Sequence, residues 1–213
     1  MAKQTDSDNL LQMNSILAQT ESGKFSPIYI LMGEEPYYSD VILESILKNA
    51  LQPHERDFNQ TVVYAQDTTT AEIVQNCRRY PMFAERQLVV VKEAQHLDKL
   101  DILEHYLENP SAETVLVLAF TNKSVDKRTG FYKKAKANAV IFESVATSEW
   151  NVAKWISTYI QGKGYSITPD AASLMAEHTG NSLRKIVLEA DKLFKGLPDN
   201  KKDISIKEIE QNI

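Results

Sequence analysis

The residues that come closest to a chemical motif form the loop Gly33-Glu34-Glu35-Pro36, which follows a short apolar run at residues 28–32. A strand, a glycine loop and a helix can together hold phosphate, because backbone N–H groups and the helix dipole converge there. A working phosphate loop also needs a Lys for the phosphate charge and a Ser or Thr for magnesium. Here two carboxylates would repel a triphosphate, Pro36 removes a donor, and the next Lys is Lys48. The sequence therefore predicts a nucleotide-binding type of fold with a degenerate loop, and no cofactor.

A second candidate site is the segment Tyr80-Pro81-Met82-Phe83, with Arg86 close by, between a predicted helix and a predicted strand. An exposed Phe beside a Met is a large, adaptable apolar anchor for a pocket on a partner protein. Burial of both side chains would contribute roughly 3 to 6 kcal/mol. The alternative is that Met82 and Phe83 are ordinary core residues, since apolar side chains of this kind are commonly buried.

The third candidate is a basic set near the fourth predicted strand. It comprises Lys123, Lys127, Arg128, Lys133, Lys134 and Lys136. These residues could contact DNA phosphates, with Lys127, Arg128, Lys133 and Lys134 as the candidates, or they could be the solvated face of a helix. Residues 1–143 hold 15 basic and 20 acidic side chains and residues 144–213 hold nine of each, so the net charge of −5 belongs to the first part. That balance argues against a strongly basic nucleic-acid-binding domain.

The other reactive side chains form no recognisable site. His54, His96, His105 and His178 are scattered along the chain. Cys77 is the single cysteine, so we expect a reduced, partly buried thiol without a disulfide. Glu93 follows the third strand, where an active ATPase would place acidic residues for magnesium, but it stands beside Lys92. The sequence thus predicts no catalytic residue and no metal site.

Alternating short apolar runs and amphipathic segments must position these candidates. The runs predicted as strands are residues 28–32, 61–65, 87–91, 115–120 and 140–142. Strands that alternate with helices at this spacing predict an α/β fold with a parallel five-stranded sheet covered on both faces.

The helices are predicted from periodicity and capping residues. A leading helix covers residues 9–18, Ser39 or Asp40 caps the helix after the glycine loop, residues 51–58 form a loop, and residues 127–137 form a basic helix. From Thr147 onward the pattern predicts helices, with one short extended piece at residues 204–206. We therefore expect two domains, an α/β domain at residues 1–143 and a small all-α domain at residues 144–213.

Three stretches carry a resemblance to a known family: PIYILMGEEPYYSD, then YPMFAERQLVVVKEA, then GNSLRKIVLEADKLF. In this order and spacing they resemble the delta subunit of the bacterial DNA polymerase III clamp loader, a nucleotide-free member of the AAA+ superfamily. The resemblance runs from about residue 25 to residue 213. It implies an AAA+ sheet domain with a P-loop-like arrangement, then a helical lid domain, and it implies that the family's C-terminal collar domain is lacking from this chain.

The resemblance also implies a function in DNA replication. The subunit would bind and open the beta sliding clamp with an apolar wedge, for which the matching positions are Met82 and Phe83, while Tyr80, Pro81 and Arg86 shape the segment. It would be a non-catalytic part of the DNA polymerase III holoenzyme, a DNA-directed DNA polymerase assembly. Its partners would be the clamp and the other loader subunits, gamma/tau and delta prime. ATP hydrolysis is expected in partner subunits, and DNA would be contacted indirectly or weakly.

No apolar run is long enough to span a membrane, and the first residues lack the apolar centre of a signal peptide, so a cytoplasmic, nucleoid-associated replisome protein is expected. Two alternative functions remain open at this point. One is an AAA+ ATPase with an atypical nucleotide loop, and the other is a DNA-binding accessory module.

Overall fold

The computed structural model describes residues 6–198 and 201–212. These residues form two compact units, which divide between Ala146 and Thr147. Each unit is described by itself. No helix in the described part of the chain is long and apolar enough to cross a membrane.

The first unit is built on five parallel strands. They are β1 (Ile28–Gly33), β2 (Gln60–Tyr64), β3 (Gln87–Lys92), β4 (Thr114–Ala119) and β5 (Val140–Ser144). Their order across the sheet is β2-β3-β4-β1-β5, and every pairing is parallel. All of β1 is buried, as expected for a central parallel strand with both faces covered. The predicted α/β fold with a five-stranded parallel sheet is confirmed.

Helices pack on both faces of this sheet. They are α1 (Asp6–Glu21), α2 (Pro36–Asn49), α3 (Arg56–Asn59), α4 (Thr70–Cys77), α5 (Leu100–Glu108) and α6 (Gly130–Asn138). Ile28, Ile30 and Met32 belong to a buried cluster that they share with residues of α4, α5 and α6. The pleat turns alternate residues to the opposite face. Leu31 pairs there with Phe142, whose ring lies 6.3 Å from that of Tyr38 in α2.

Three local predictions in this unit were wrong. Helix α2 begins at Pro36, with Glu35 as its cap, and not after Ser39 or Asp40. Residues 51–58 are not a plain loop, because they contain a 3₁₀ turn (Pro53–Glu55) and the start of α3. The helix predicted from residue 127 begins at Gly130, since the Thr129 hydroxyl accepts a hydrogen bond from the Tyr132 N–H and caps the helix there.

The second unit is mainly helical. Its helices are α7 (Glu149–Gly162), α8 (Pro169–Thr179), α9 (Leu183–Gly196) and α10 (Ile206–Asn212). Buried residues from all four, such as Ile156, Met175, Ile186 and Ile209, form its core. A short extended piece was predicted at residues 204–206, but β6 (Ser166–Ile167) and its parallel pairing with β7 (Asp203–Ile204) were missed. Two residues per strand are too few to produce a period-two pattern that the sequence would reveal.

Candidate functional site

The segment between α4 and β3, residues 78–86, contains the two most exposed large apolar side chains among the described residues of the first unit. The side chain of Phe83 is 98% exposed, that of Tyr80 84% and that of Met82 46%. Phe83 also has a positive φ of 54°, a conformation that non-glycine residues seldom adopt. The alternative prediction that Met82 and Phe83 are core residues is therefore wrong. We call residues 80–83 the apolar corner.

Asn59, the last residue of α3, holds the apolar corner by its backbone. Its Oδ1 accepts a hydrogen bond from the Met82 N–H at 2.6 Å, and its Nδ2 donates to the Met82 carbonyl at 2.9 Å. Asn59 is only 4% exposed. Sequence reasoning missed this residue. The one signal in its favour was its type, because Asn is a poor former of both helices and strands yet stands directly before β2.

Gln87, the first residue of β3, holds the end of α4 on the other side of the corner. Its Nε2 lies 2.6 Å from the Arg79 carbonyl and 3.0 Å from the Asn76 carbonyl. It also lies 2.9 Å from Oγ1 of Thr114, which in turn donates to the Cys77 carbonyl at 2.9 Å. These bonds satisfy carbonyls that the end of a helix leaves without partners. They fix the direction in which the chain leaves α4.

Arg86 supports the far side of the corner. Its guanidinium lies over the Phe25 ring, 5.0 Å from the ring centroid. It also donates to the Gly23 carbonyl at 3.4 Å and pairs with Glu85 at 3.4 Å. Pro81 is half-buried. The corner is thus attached to three separate parts of the unit, while its side chains at positions 80, 82 and 83 are exposed.

The glycine loop, residues 33–36, is closed onto the end of β5. The N–H groups of Glu34 and Glu35 donate to the carbonyl and the hydroxyl of Ser144, both at 3.1 Å. The Gly33 N–H donates to the Lys123 carbonyl at 3.1 Å. Gly33 has φ of 120°, and a Cβ atom there would lie 2.2 Å from the Ser144 carbonyl oxygen. The donors that a phosphate loop offers to its ligand are therefore bonded within the protein.

A carboxylate of the chain itself occupies the amino-terminal end of α2. Glu35 is buried, and its Oε1 accepts a hydrogen bond from the Tyr37 N–H at 3.0 Å. Pro36 between them has no N–H to offer. A negative charge at a helix amino terminus is favourable. A phosphate at this position would have to displace that carboxylate and would be repelled by it.

Three of the six residues of the basic set form ion pairs. Lys127 contacts Glu143 at 2.7 Å, and this hydrogen bond raises the pKa of Lys127. Arg128 forms a bidentate pair with Asp126. Lys134 forms ion pairs with Glu104 and Glu108, at 3.4 and 3.0 Å. Lys133, the fourth candidate, is exposed. A phosphate would compete with these carboxylates for three of the four predicted contacts, so the DNA contact stays a prediction.

The remaining reactive residues are not assembled into a site. Cys77 is fully buried rather than partly so, and burial raises the pKa of its thiol to about 12. Glu93 has φ of 53° at the end of β3 and lies 3.9 Å from His96. Among the described residues, no group of three or more His, Cys, Asp or Glu side chains could hold a metal ion.

Comparison with known proteins places both candidate sites inside one family match. Residues 29–145 match the family described as "DNA polymerase III, delta subunit". A curated relative, the DNA polymerase III subunit delta of Bacillus subtilis (strain 168), is 23% identical over 210 residues, which are 91% of this chain and 60% of the relative. This chain therefore spans about 60% of the length of that relative.

Solved structures show the same fold. The DNA clamp loader delta protein of Bacillus subtilis matches with a TM-score of 0.77 and 21% identity, over 94% of this chain and 62% of that chain. The Holliday junction branch migration motor RuvB of Thermotoga maritima matches with a TM-score of 0.52 and 15% identity, over 97% of this chain and 68% of that chain. The AAA+-like architecture predicted from the sequence is confirmed.

Proposed function

Because this chain belongs to the family of DNA polymerase III delta subunits, we propose that it is a clamp loader subunit that binds the beta sliding clamp and promotes its opening. The apolar corner is the proposed contact, with Met82 and Phe83 as the wedge. The exposure of Phe83, at 98%, carries this proposal: together with Tyr80 and Met82 it makes the segment an exposed apolar patch, and such patches mark contacts with partner proteins.

The energy available at this contact is adequate for specific binding. Burial of Met82 and Phe83 in a pocket contributes roughly 3 to 6 kcal/mol. Tyr80 lies on the same exposed segment and adds apolar area with a polar end. The hydrogen bonds to Asn59 and Gln87 hold the backbone in place, so that less conformational entropy is lost on binding.

Opening of the clamp follows from differential binding. A wedge shifts a closed ring towards an open one only if it binds the open state more tightly than the closed state. The difference between the two binding free energies is the most that it can contribute to opening. In this proposal Met82 and Phe83 contact a pocket whose geometry fits them better in the open ring. The wedge stabilises the opened state and does no mechanical work of its own.

We propose further that the subunit is non-catalytic and that ATP is bound and hydrolysed by its partners, the gamma/tau and delta prime subunits. The closed glycine loop supports this part, since the Glu34 and Glu35 N–H groups are bonded to Ser144. Equilibrium dialysis with ATP and Mg²⁺ tests it, and we expect no saturable binding to the isolated chain. Saturable binding would favour the alternative of an AAA+ ATPase with an atypical loop.

Surface plasmon resonance with the sliding clamp encoded by the same genome tests the clamp contact. We expect the wild-type chain to bind with micromolar or tighter affinity and the double variant Met82→Ala, Phe83→Ala to lose binding. Leu11→Ala is the matched control, because Leu11 is an exposed apolar residue on α1. Circular dichroism checks that each variant is folded. Equal binding by the wild type and the double variant, or no binding by either, would contradict the proposal.

A further inference from the structure

Asn59 uses its amide group almost entirely on the apolar corner and the turn beside it. Its Nδ2 donates to the carbonyls of Met82, at 2.9 Å, and Glu55, at 3.0 Å, while its Oδ1 accepts from the Met82 N–H at 2.6 Å. An Asn side chain offers two N–H donors and one carbonyl oxygen. Both donors and the oxygen therefore have partners, as the burial of this polar side chain requires.

The element that carries Asn59 is itself tied to a longer helix. Arg56, the first residue of α3, donates from Nη2 to the Lys48 carbonyl at 2.9 Å, near the end of α2. The Glu55 carboxylate accepts from the Gln52 N–H at 2.8 Å and closes the preceding 3₁₀ turn. Asn59 thus belongs to a short segment that is held by hydrogen bonds of its own. Its side chain holds the backbone of Met82 against this segment.

Two side chains, Gln87 and Asn59, hold the backbone at Arg79 and at Met82, so the two residues between them have little conformational freedom. Gln87 holds the Arg79 carbonyl, and Asn59 holds both backbone polar groups of Met82, three residues further on. Phe83 follows directly, with φ of 54°. A non-glycine residue keeps a positive φ only where its surroundings determine it. The two hydrogen bonds to Asn59 anchor Met82, the residue directly before Phe83.

We infer that Asn59 is a positioning residue, which holds the apolar corner in its binding conformation before any partner arrives. The inference deepens the proposed function and rests on it. Without the Asn59 amide, residues 80–84 sample more conformations, and binding has to select one of them. The ordering of such a segment weakens an interface although no contact with the partner is lost.

The test compares Asn59→Ala with Asn59→Asp and with the control Asn49→Ala. Asp keeps an acceptor for the Met82 N–H, but its carboxylate would repel the carbonyls of Glu55 and Met82, to which the Asn amide donates. We therefore expect Asn59→Asp to lose the positioning of the corner as Asn59→Ala does. Asn49 donates to the Ser45 carbonyl in its own helix, at 2.9 Å, and is therefore a matched amide in α2. Urea denaturation measures the stability of each variant, so that a general loss of folding is separated from a local effect.

Two measurements report the positioning role. Amide hydrogen exchange of the free chain should show faster exchange at Met82 in both Asn59 variants and no change in Asn49→Ala. Surface plasmon resonance with the sliding clamp should show a loss of affinity of about tenfold, on the scale of ordering a few side chains at an interface.

The outcomes separate this inference from the proposed function. Loss of binding in the wedge variant together with unchanged affinity in Asn59→Ala would overturn the positioning role and leave the clamp contact intact. Unchanged exchange at Met82 in Asn59→Ala would overturn it as well. Unchanged binding in the wedge variant would overturn the proposed function itself, and the positioning role with it.

Discussion

The carboxylate of Glu35 accepts a hydrogen bond from the Tyr37 N–H at 3.0 Å, so the amino terminus of α2 carries a negative charge that the protein itself provides. In phosphate-binding relatives of this architecture the same kind of helix end faces the ligand. The residue that we propose to exclude a phosphate therefore also caps the helix. This double role has a measurable consequence for stability.

We expect Glu35→Ala to lower the free energy of unfolding by about 1 kcal/mol, the usual contribution of a helix cap. Urea denaturation followed by circular dichroism measures this value. Glu34→Ala is the control, since Glu34 is exposed and its carboxylate accepts a long hydrogen bond, 3.4 Å, from the Ala146 N–H. An equal loss in both variants would show that the cap at Glu35 is not the cause.

Gly33 should tolerate no side chain. In Gly33→Ala the new Cβ would lie 2.2 Å from the Ser144 carbonyl oxygen, on a backbone with φ of 120°. We expect a loss of more than about 2 kcal/mol in unfolding free energy, because both the clash and the backbone strain act on the folded state. Gly162→Ala, at the end of α7 where a Cβ would meet nothing within 4 Å, should change stability by less than about 1 kcal/mol. Similar values for the two variants would contradict the closed loop.

The free energy of unfolding should decrease at acidic pH, in part because Asp98 becomes protonated. The Thr70 hydroxyl, followed by the Lys99 and Thr70 N–H groups, lowers the pKa of Asp98 from 3.8 to about 2 in the folded chain. A lowered folded-state pKa means that the ionised carboxylate favours folding above the unfolded value, and that this contribution is lost as the pH falls from about 4 to about 2. Urea denaturation across this range should show a shallower decline for Asp98→Asn than for the wild type. Asp101→Asn, an exposed change on α5, is the control and should keep the wild-type slope.

Cys77 should be unreactive in the folded chain. It is fully buried, and the rise of its thiol pKa from 9.0 to about 12 reduces the thiolate fraction by roughly a thousandfold. A thiol reagent such as dithionitrobenzoate should therefore label it slowly in buffer and rapidly in guanidinium chloride. Rapid labelling of the native chain would contradict the burial of Cys77 at the end of α4.

The sequence by itself determined the strands and the family, and it pointed to Met82 and Phe83 as the proposed wedge. Apolar runs such as residues 87–91 and 115–120 identify strands from the local sequence, because a strand that is buried on both faces is apolar along its whole length. The sheet domain and the Met82-Phe83 pair could be identified from short stretches in a fixed order. Errors occurred at helix starts, at Pro36 and Gly130, where one cap among several polar neighbours decides the boundary.

Only the tertiary structure decided how these segments act. The Asn59 contact with Met82 joins residues 23 positions apart, and Ser144 meets the Glu35 backbone across 109 positions. The exposure of Phe83 and the pairing of Lys134 with Glu104 likewise depend on which segments fold next to each other. Such contacts leave no periodic signal in the chain, because they are set by the approach of distant backbones and not by the pattern of neighbouring residues.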